Sequence, residues 1–268
     1  MQLISLNTFG GCFLNPFLDF VKKNATNTDI FCFQEVLDTP ETEATEEERL
    51  HQFSELTKIL PDFQGFFAPA QDHDDPITKL TSVATLGLAT FVRKKYSLQS
   101  NGDFFICNKR NSFVRPDSAT FPHNLHYIQL PFAGTLLTVC NLHGISKPDD
   151  KLDSPERLQQ SQKVLDFAQE QPGEKIICGD FNLFPETESI LMFEKNGFDN
   201  LIKNFNVKTT RGSLIKKMHP EYGTGPNGWQ EYADYVLTTS GVRAVGLSVP
   251  DLPLSDHLPM LLTFELTA

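Results

Sequence analysis

Leu137-Thr138-Val139-Cys140-Asn141-Leu142-His143 is a short β-type run that stops on an imidazole, and the design recurs along the chain. Ile176-Ile177-Cys178-Gly179-Asp180-Phe181-Asn182 ends on a carboxylate and a carboxamide, Ile30-Phe31-Cys32-Phe33-Gln34-Glu35 on a glutamate, and Leu3-Ile4-Ser5-Leu6-Asn7 on an asparagine. Near the C-terminus, Ser255-Asp256-His257-Leu258-Pro259 adds another carboxylate beside an imidazole. Polar residues at the ends of apolar strands are placed to build a site along one edge of a sheet. The recurring acid, amide and imidazole ends point to metal chemistry.

Between these runs, helix and strand signals alternate, which predicts an α/β layered fold. Leu14, Phe17, Leu18 and Val21 give helical spacing over 14–23, and 29–33 reads as a buried strand ending at Gln34-Glu35. Thr45 to Glu48 fits a capping box for a helix running to about Leu60. Residues 71–82 read as a polar loop, and its Asp72, His73, Asp74 and Asp75 lack the spacing of a calcium loop. Strands are expected at 84–93, 103–107, 125–130, 135–142 and 174–178, with a hairpin at Phe132-Ala133-Gly134. Asp153, Ser154 and Pro155 open a helix to about Gln169, and a further helix lies near 187–195. Tyr222 to Gly228, rich in Gly and Pro, has the composition of a loop beside a site, and closing strands at 232–238 and 259–266 flank Asp256-His257.

Bulk properties narrow the function classes. With 268 residues, 40% hydrophobic, 23 Phe and no interdomain linker, the chain reads as one globular enzyme domain spanning 1–268. No apolar run approaches the roughly 20 residues of a transmembrane helix. The N-terminus opens directly on a strand-like stretch without a basic n-region, so no secretory signal is expected. Of five cysteines, Cys32, Cys140 and Cys178 sit inside apolar runs as small hydrophobes, which suits free thiols in a reducing, cytoplasmic setting. A net charge of −11 gives no basic footprint for nonspecific nucleic-acid binding, although a bound divalent metal reverses the local sign.

The ordered set Asn7, Gln34-Glu35, Asn141-Leu142-His143, Gly179-Asp180-Phe181-Asn182, Ala233-Asp234-Tyr235 and Ser255-Asp256-His257 resembles the endonuclease/exonuclease/phosphatase superfamily of metal-dependent phosphoesterases. Any one block arises by chance, whereas six in order from residue 3 to 265 are specific. The resemblance implies a four-layer α-β-β-α sandwich, with two mostly antiparallel mixed sheets face to face, helices outside, and the site along the top edge. It also implies a divalent ion, Mg²⁺ with Mn²⁺ as a substitute, held by Glu35 with Asn7 and Asp256 directly or through water. In that reading Asp180 orients or deprotonates the attacking water and Asn182 donates to phosphoryl oxygens. His257 contacts the phosphate with Asp234 on its other ring nitrogen, and His143 is the second imidazole. Asn141 and Arg211 are the candidate substrate-binding residues, with securing the site loop as the stronger reading for Asn141 and a surface ion pair as the competing one for Arg211. Arg157 is expected to make a structural salt bridge or cap.

The implied reaction is hydrolysis of a phosphodiester by in-line attack of water, with nucleic acid as one possible substrate. Phe9 stands where abasic-site nucleases carry a second Asn or Asp, and Asn141-Leu142-His143 replaces their Tyr-x-Pro-Asn block, so abasic-site repair is not expected. The alternative is a phosphomonoesterase or lipid-headgroup hydrolase on the same machinery. A noncatalytic binding protein predicts damaged site positions, and none is visible.

Overall fold

Apolar side chains on both faces of a strand demand cover on both sides, and the first two strands show how the fold supplies it. The structure is a computed structural model that describes residues 1–39, 48–72, 84–218, 220 and 229–267. In β1 (Gln2–Asn7) and β2 (Ile30–Asp38), Leu3, Ile30 and Cys32 face a core shared with the opposite sheet. The alternating Ile4, Leu6, Phe31 and Phe33 instead pack against Phe17 and Val21 of α1 (Leu14–Asn24) and Leu56 of α2 (Gln52–Ile59). Phe17 meets Phe33 edge-on at 5.1 Å between ring centroids.

The remaining strands are β3 (Phe63–Asp72), β4 (Thr85–Arg93), β5 (Ser100–Cys107), β6 (His123–Phe132), β7 (Thr135–His143), β8 (Glu174–Asp180), β9 (Phe198–Asn200), β10 (Asp234–Thr239), β11 (Val242–Ser248) and β12 (Met260–Leu266). The helices α3 (Pro155–Glu170), α4 (Glu188–Lys195), α5 (Leu201–Asn204) and α6 (Ser213–Met218) complete the described elements. Two six-stranded sheets result, ordered β11-β12-β1-β2-β4-β3 and β5-β6-β7-β8-β10-β9. Each has a parallel pair at its centre, β1 with β2 and β7 with β8, while the other pairings are antiparallel. The α/β sandwich of mixed sheets expected from the sequence is present.

Several boundaries differ from the sequence reading. β2 does not stop at Glu35: the chain bulges between Phe33 and Val36, with Glu35 at φ 55°, and pairing resumes through Val36 and Leu37. The extra residue turns the glutamate out of the ladder while the apolar residues beyond it stay paired. β3 was hidden by Pro69, which is tolerated because β3 is an edge strand and its register shifts between Pro69 and Gln71. Gln71 and Asp72 accordingly end this strand. β9, β11, α5 and α6 also escaped the periodicity reading, three of them being only three to six residues long. The 48–60 segment opens as a 3₁₀ turn, Glu48–His51, before α2. The capping residues Thr45 to Glu47, the acidic group His73 to Asp75 and the stretch Tyr222 to Gly228 lie outside the described residues.

The seam between the sheets is not wholly apolar. Cys32, Cys140 and Cys178 are buried free thiols there, as expected from their runs. His126 is buried on β6 with Nδ1 2.9 Å from the Thr90 hydroxyl, and burial pulls its pKa down to about 4. Between pH 6.5 and 4 the unfolded chain takes up a proton that the folded chain refuses, so stability is expected to fall on acidification by at most roughly 3 kcal/mol from this group. Urea midpoints at pH 7.5 and 5 check this, and His126→Gln should show the smaller drop. Among the described residues, no helix is long and apolar enough to cross a membrane.

Candidate active site

Register brings the strand ends together. Asn7 lies opposite Gln34 in the first sheet, while in the second His143 and Asp234 both stand opposite Asp180 on its two neighbours. Gly179, just before Asp180, has φ 133°, and a Cβ there would come within 2.1 Å of the Leu142 carbonyl oxygen. Only glycine lets β8 approach β7 so closely beneath His143 and Asp180.

Asp180 forms the centre. Its Oδ1 accepts from the Asn182 amide nitrogen at 2.9 Å, which fixes the carboxylate plane in an Asx-type turn and holds Asn182 at φ 56°. Its Oδ2 accepts from Asn7 Nδ2 at 3.0 Å and lies 3.5 Å from His257 Nε2 and 3.8 Å from His143 Nε2. Asn7 thereby bridges the sheets, since its Nδ2 also donates to Glu35 Oε1 at 2.9 Å. Its Oδ1 accepts from the Phe9 amide, so the carboxamide presents its donor face to the carboxylates. As a metal ligand it would have to turn its oxygen toward the ion.

His257 donates Nδ1–H to Asp234, 2.8 Å from Oδ2, as the sequence reading expected. Nε2 therefore faces the cleft. Burial and the Arg211 cation pull down on the imidazole, but Asp234, Asp256 and Asp180 outweigh them and push it up to about 9. His143 has no such partner, and burial holds it at about 4 despite Asp180. Burial alone would raise the Asp180 carboxyl, yet His257, His143, Arg211 and Lys151 hold it at about 2. The surroundings thus push the two imidazoles in opposite directions: the carboxylates favour the charged ring at His257, and burial favours the neutral ring at His143.

Ser255 shows why the last block begins with serine. Its hydroxyl donates to the Asn7 carbonyl at 2.7 Å and accepts from the His257 amide at 3.2 Å, tying the turn carrying Asp256 and His257 to the end of β1. Thr210 acts similarly on the other side, accepting from the amides of Ala233 and Asp234. Arg211 is not a surface ion pair: its guanidinium, on a side chain 10% exposed, lies inside the site, 3.1 Å from Asp256 Oδ2 and against His257 Nε2. Asn141 does not face the cleft. Its amide nitrogen donates to the Phe33 and Ala89 carbonyls, both at 3.1 Å, and its oxygen accepts from Gln34 Nε2 at 2.7 Å. The substrate-binding assignment for Asn141 is therefore corrected to a staple between sheets, the stronger of its two sequence readings, because both amide N–H groups are donated to strand carbonyls and its oxygen already accepts from Gln34.

Glu35 carries the clearest mark of a cation. Its Oε2 is buried with no hydrogen-bond partner among the described residues, and burial, then Asp256, pushes its carboxyl up to about 8. A buried unpaired carboxylate oxygen is costly and a divalent cation removes that cost, so the donor set fits an oxygen-preferring ion. Glu35, His143 and Asp180 bring ligand atoms within 4.8 Å of one another, and Asp180, Asp234 and His257 form a second such group. Both groups combine buried carboxylates with an imidazole, a donor set that could hold a divalent ion.

Sequence reading missed Lys151, whose ammonium donates to Asn182 Oδ1 at 2.6 Å inside the cleft. It lies eight residues beyond the end of β7 in a loop, without a strand end to mark it.

No curated protein sequence matches the chain. Solved structures of the same fold include an endonuclease/exonuclease/phosphatase family protein from Leptotrichia buccalis, 14% identical with a TM-score of 0.71 over 99% of both chains. A mannosyl-6-phosphatase from Bacteroides thetaiotaomicron is 15% identical with a TM-score of 0.67 over 99% of both chains. TDP2 of D. rerio, solved with a single-strand DNA product, is 17% identical with a TM-score of 0.67, covering 99% of this chain and 98% of that one. The Endonuclease/Exonuclease/phosphatase family profile matches residues 4–257, from β1 to His257 itself. With its sandwich, its converging strand ends and that match, the chain belongs to the endonuclease/exonuclease/phosphatase family of phosphoesterases.

Proposed function

We propose that the chain is a divalent-metal-dependent phosphodiesterase of nuclease type, hydrolysing a phosphodiester by in-line attack of water. The observation that carries the reading is the centre itself: Asp180 held ionised between Asn7, His143 and His257, with a partnerless Glu35 oxygen beside it. Mg²⁺, or Mn²⁺ in its place, would be held by Glu35 with Asn7 and Asp256, and supplies charge neutralisation at the phosphoryl oxygens.

The chain's own groups do the rest. Asp180 Oδ2 accepts a hydrogen bond from the attacking water and orients its lone pair toward phosphorus. As the new P–O bond forms and the bond to the leaving oxygen breaks, Asp180 takes the water's proton, which in the net reaction ends on the departing oxygen. His257 is braced by Asp234 and its Nε2 lies against Arg211 Nη1; a phosphoryl oxygen entering between them would accept from both, where negative charge grows as the new bond forms. Asn182 offers an amide N–H without adding charge, and Arg211 supplies a second cation beside His257.

Turnover of bis-p-nitrophenyl phosphate and nicking of supercoiled plasmid, both lost in EDTA, are the expected outcomes in parallel assays. Glu35→Gln is expected to weaken Mg²⁺ binding at least about tenfold in a calorimetric titration, with no loss of metal-free stability, because the isosteric amide oxygen still accepts from Asn7 Nδ2. Unchanged Mg²⁺ affinity would move the ion to another set of ligands.

A phosphomonoesterase or lipid-headgroup hydrolase is the second reading, favoured by the net charge of −11, which opposes approach of a polyanion. Its fold likeness to a mannosyl-6-phosphatase supports it as that to TDP2 supports the first. Turnover of p-nitrophenyl phosphate with an uncut plasmid would select it. In either reading the chain acts as one catalytic domain spanning 1–268, and its free cysteines suit a reducing cytoplasm.

A further inference from the structure

Lys151 stands in an environment that a structural lysine does not need. It is 4% exposed, and among the described residues its Nζ donates to two neutral acceptors, the Ser146 carbonyl at 3.1 Å and Asn182 Oδ1 at 2.6 Å. Among the described residues no carboxylate oxygen lies within 4 Å of it, although the same cleft holds Asp180 and Asp256. An ammonium has three donors, so one remains without an acceptor, at the wall of a cleft it shares with His143, Asp180, Asn182, Arg211 and His257. A buried cation lacking an anion is costly, and the cost persists in evolved structures where a ligand brings the missing charge.

The loop carrying it is built from inside. The Arg157 guanidinium, wholly buried at the start of α3, donates to the carbonyls of Ile145, Pro148 and Leu152 and pairs with Asp150 at 3.0 Å. The Lys151 carbonyl accepts from the Phe184 amide at 3.0 Å, and Asp153 caps α4 through the amides of Glu188 and Ser189. This framework holds Lys151 at φ 56°, a left-handed conformation unusual for lysine, so that its side chain enters the cleft. The expected structural role of Arg157 is thus correct, and the thing it supports is a cation in the site.

We infer that Lys151 is a phosphate-binding residue, its free N–H and charge meeting a phosphoryl oxygen of the substrate on the side of Asn182. This rests on the phosphoesterase reading above. The same contact fixes Asn182: with Oδ1 committed to Lys151 and one Nδ2–H to the Gly144 carbonyl at 3.2 Å, the second Nδ2–H is the part left to face the phosphate. Burial and repulsion by Arg211 pull the lysine down to about 7, and an anion between the two cations relieves that repulsion.

The test compares the Mg²⁺-loaded wild type with Lys151→Met and with Lys195→Met, a charge control on the exposed α4 ion pair with Glu188. The readouts are inorganic phosphate affinity by calorimetry, phosphate inhibition of bis-p-nitrophenyl phosphate turnover, and Tm. Lys151→Met is expected to weaken phosphate roughly 10- to 100-fold, the scale of a charge-assisted hydrogen bond, without a fall in Tm; Lys195→Met should leave phosphate affinity within about twofold. Wild-type phosphate affinity in Lys151→Met overturns the inference, most plainly if Tm falls, which would mark a structural lysine. Equal weakening by Lys195→Met overturns it too, by showing a long-range charge effect. A wild type that binds phosphate but turns over no phosphate ester defeats the catalytic reading while leaving the Lys151 comparison decisive, and one that does neither defeats both.

Discussion

Asp180→Asn is expected to lower kcat on bis-p-nitrophenyl phosphate by about 10³-fold or more while the protein still folds. The substitution keeps shape and removes charge. Asp180 Oδ1 accepts from the Asn182 amide and Oδ2 from Asn7, so a carboxamide, with one oxygen, serves only one of them. If its oxygen stays with Asn182, its NH₂ faces the Asn7 NH₂ and the two imidazoles, and water loses its acceptor. If it turns, the Asn182 backbone loses the turn that sets its side chain. Either way, the oriented water or the phosphoryl donor is lost. The fold is spared because Asp180 sits at the end of β8, where the ladder to β7 and β10 is carried by backbone groups. Circular dichroism and Tm alongside turnover check both halves, and wild-type turnover in a folded variant rejects the mechanism.

His257→Ala is expected to cost about 10²- to 10⁴-fold in kcat, and Asp234→Asn a smaller part of the same loss. Asp234 touches only the far side of the ring in this arrangement, with both oxygens within 3.0 Å of Nδ1, so it acts through the histidine. Combining the two substitutions should therefore give little more than His257→Ala alone, the strong non-additivity of groups that act as a unit. Additive losses in the double variant would give Asp234 an independent role. Removing the Asp234 charge also removes a cause of the raised His257 pKa, so the neutral ring becomes favoured and the alkaline limb of the pH–rate profile should move to lower pH.

The site was largely legible in the sequence because its residues stand at strand ends, where an apolar run stops on a group that has no reason to be buried. Asn7, Asp180 and His143 all follow that rule. Glu35 follows it in effect and by a different route, through a bulge within β2 rather than the end of a strand. The bulge left no mark, since Phe33 before it and Val36 after it are equally apolar. Pro69 concealed β3 for a related reason: the residue forbids a central strand, and only the sheet order shows that β3 is an edge.

The sequence by itself determined the layered α/β alternation, the apolar character of the central strands, and the order and type of the acids, amides and imidazoles. Continuous apolar runs and strand-ending polar groups are local properties, readable without knowing what lies opposite. Tertiary structure alone decided what each polar group meets. For Asn141, between touching substrate and securing the site loop, the structure gave a staple between sheets; for Arg211, between a substrate contact and a surface ion pair, it gave a guanidinium inside the cleft against Asp256 and His257. Lys151, unmarked by any periodicity, reaches Asn182 only because Arg157 gathers the loop around it. The physical reason is common to all three: a charge or an amide is fixed by its nearest partners, and here those partners come from chain segments brought close only by strand pairing and loop closure.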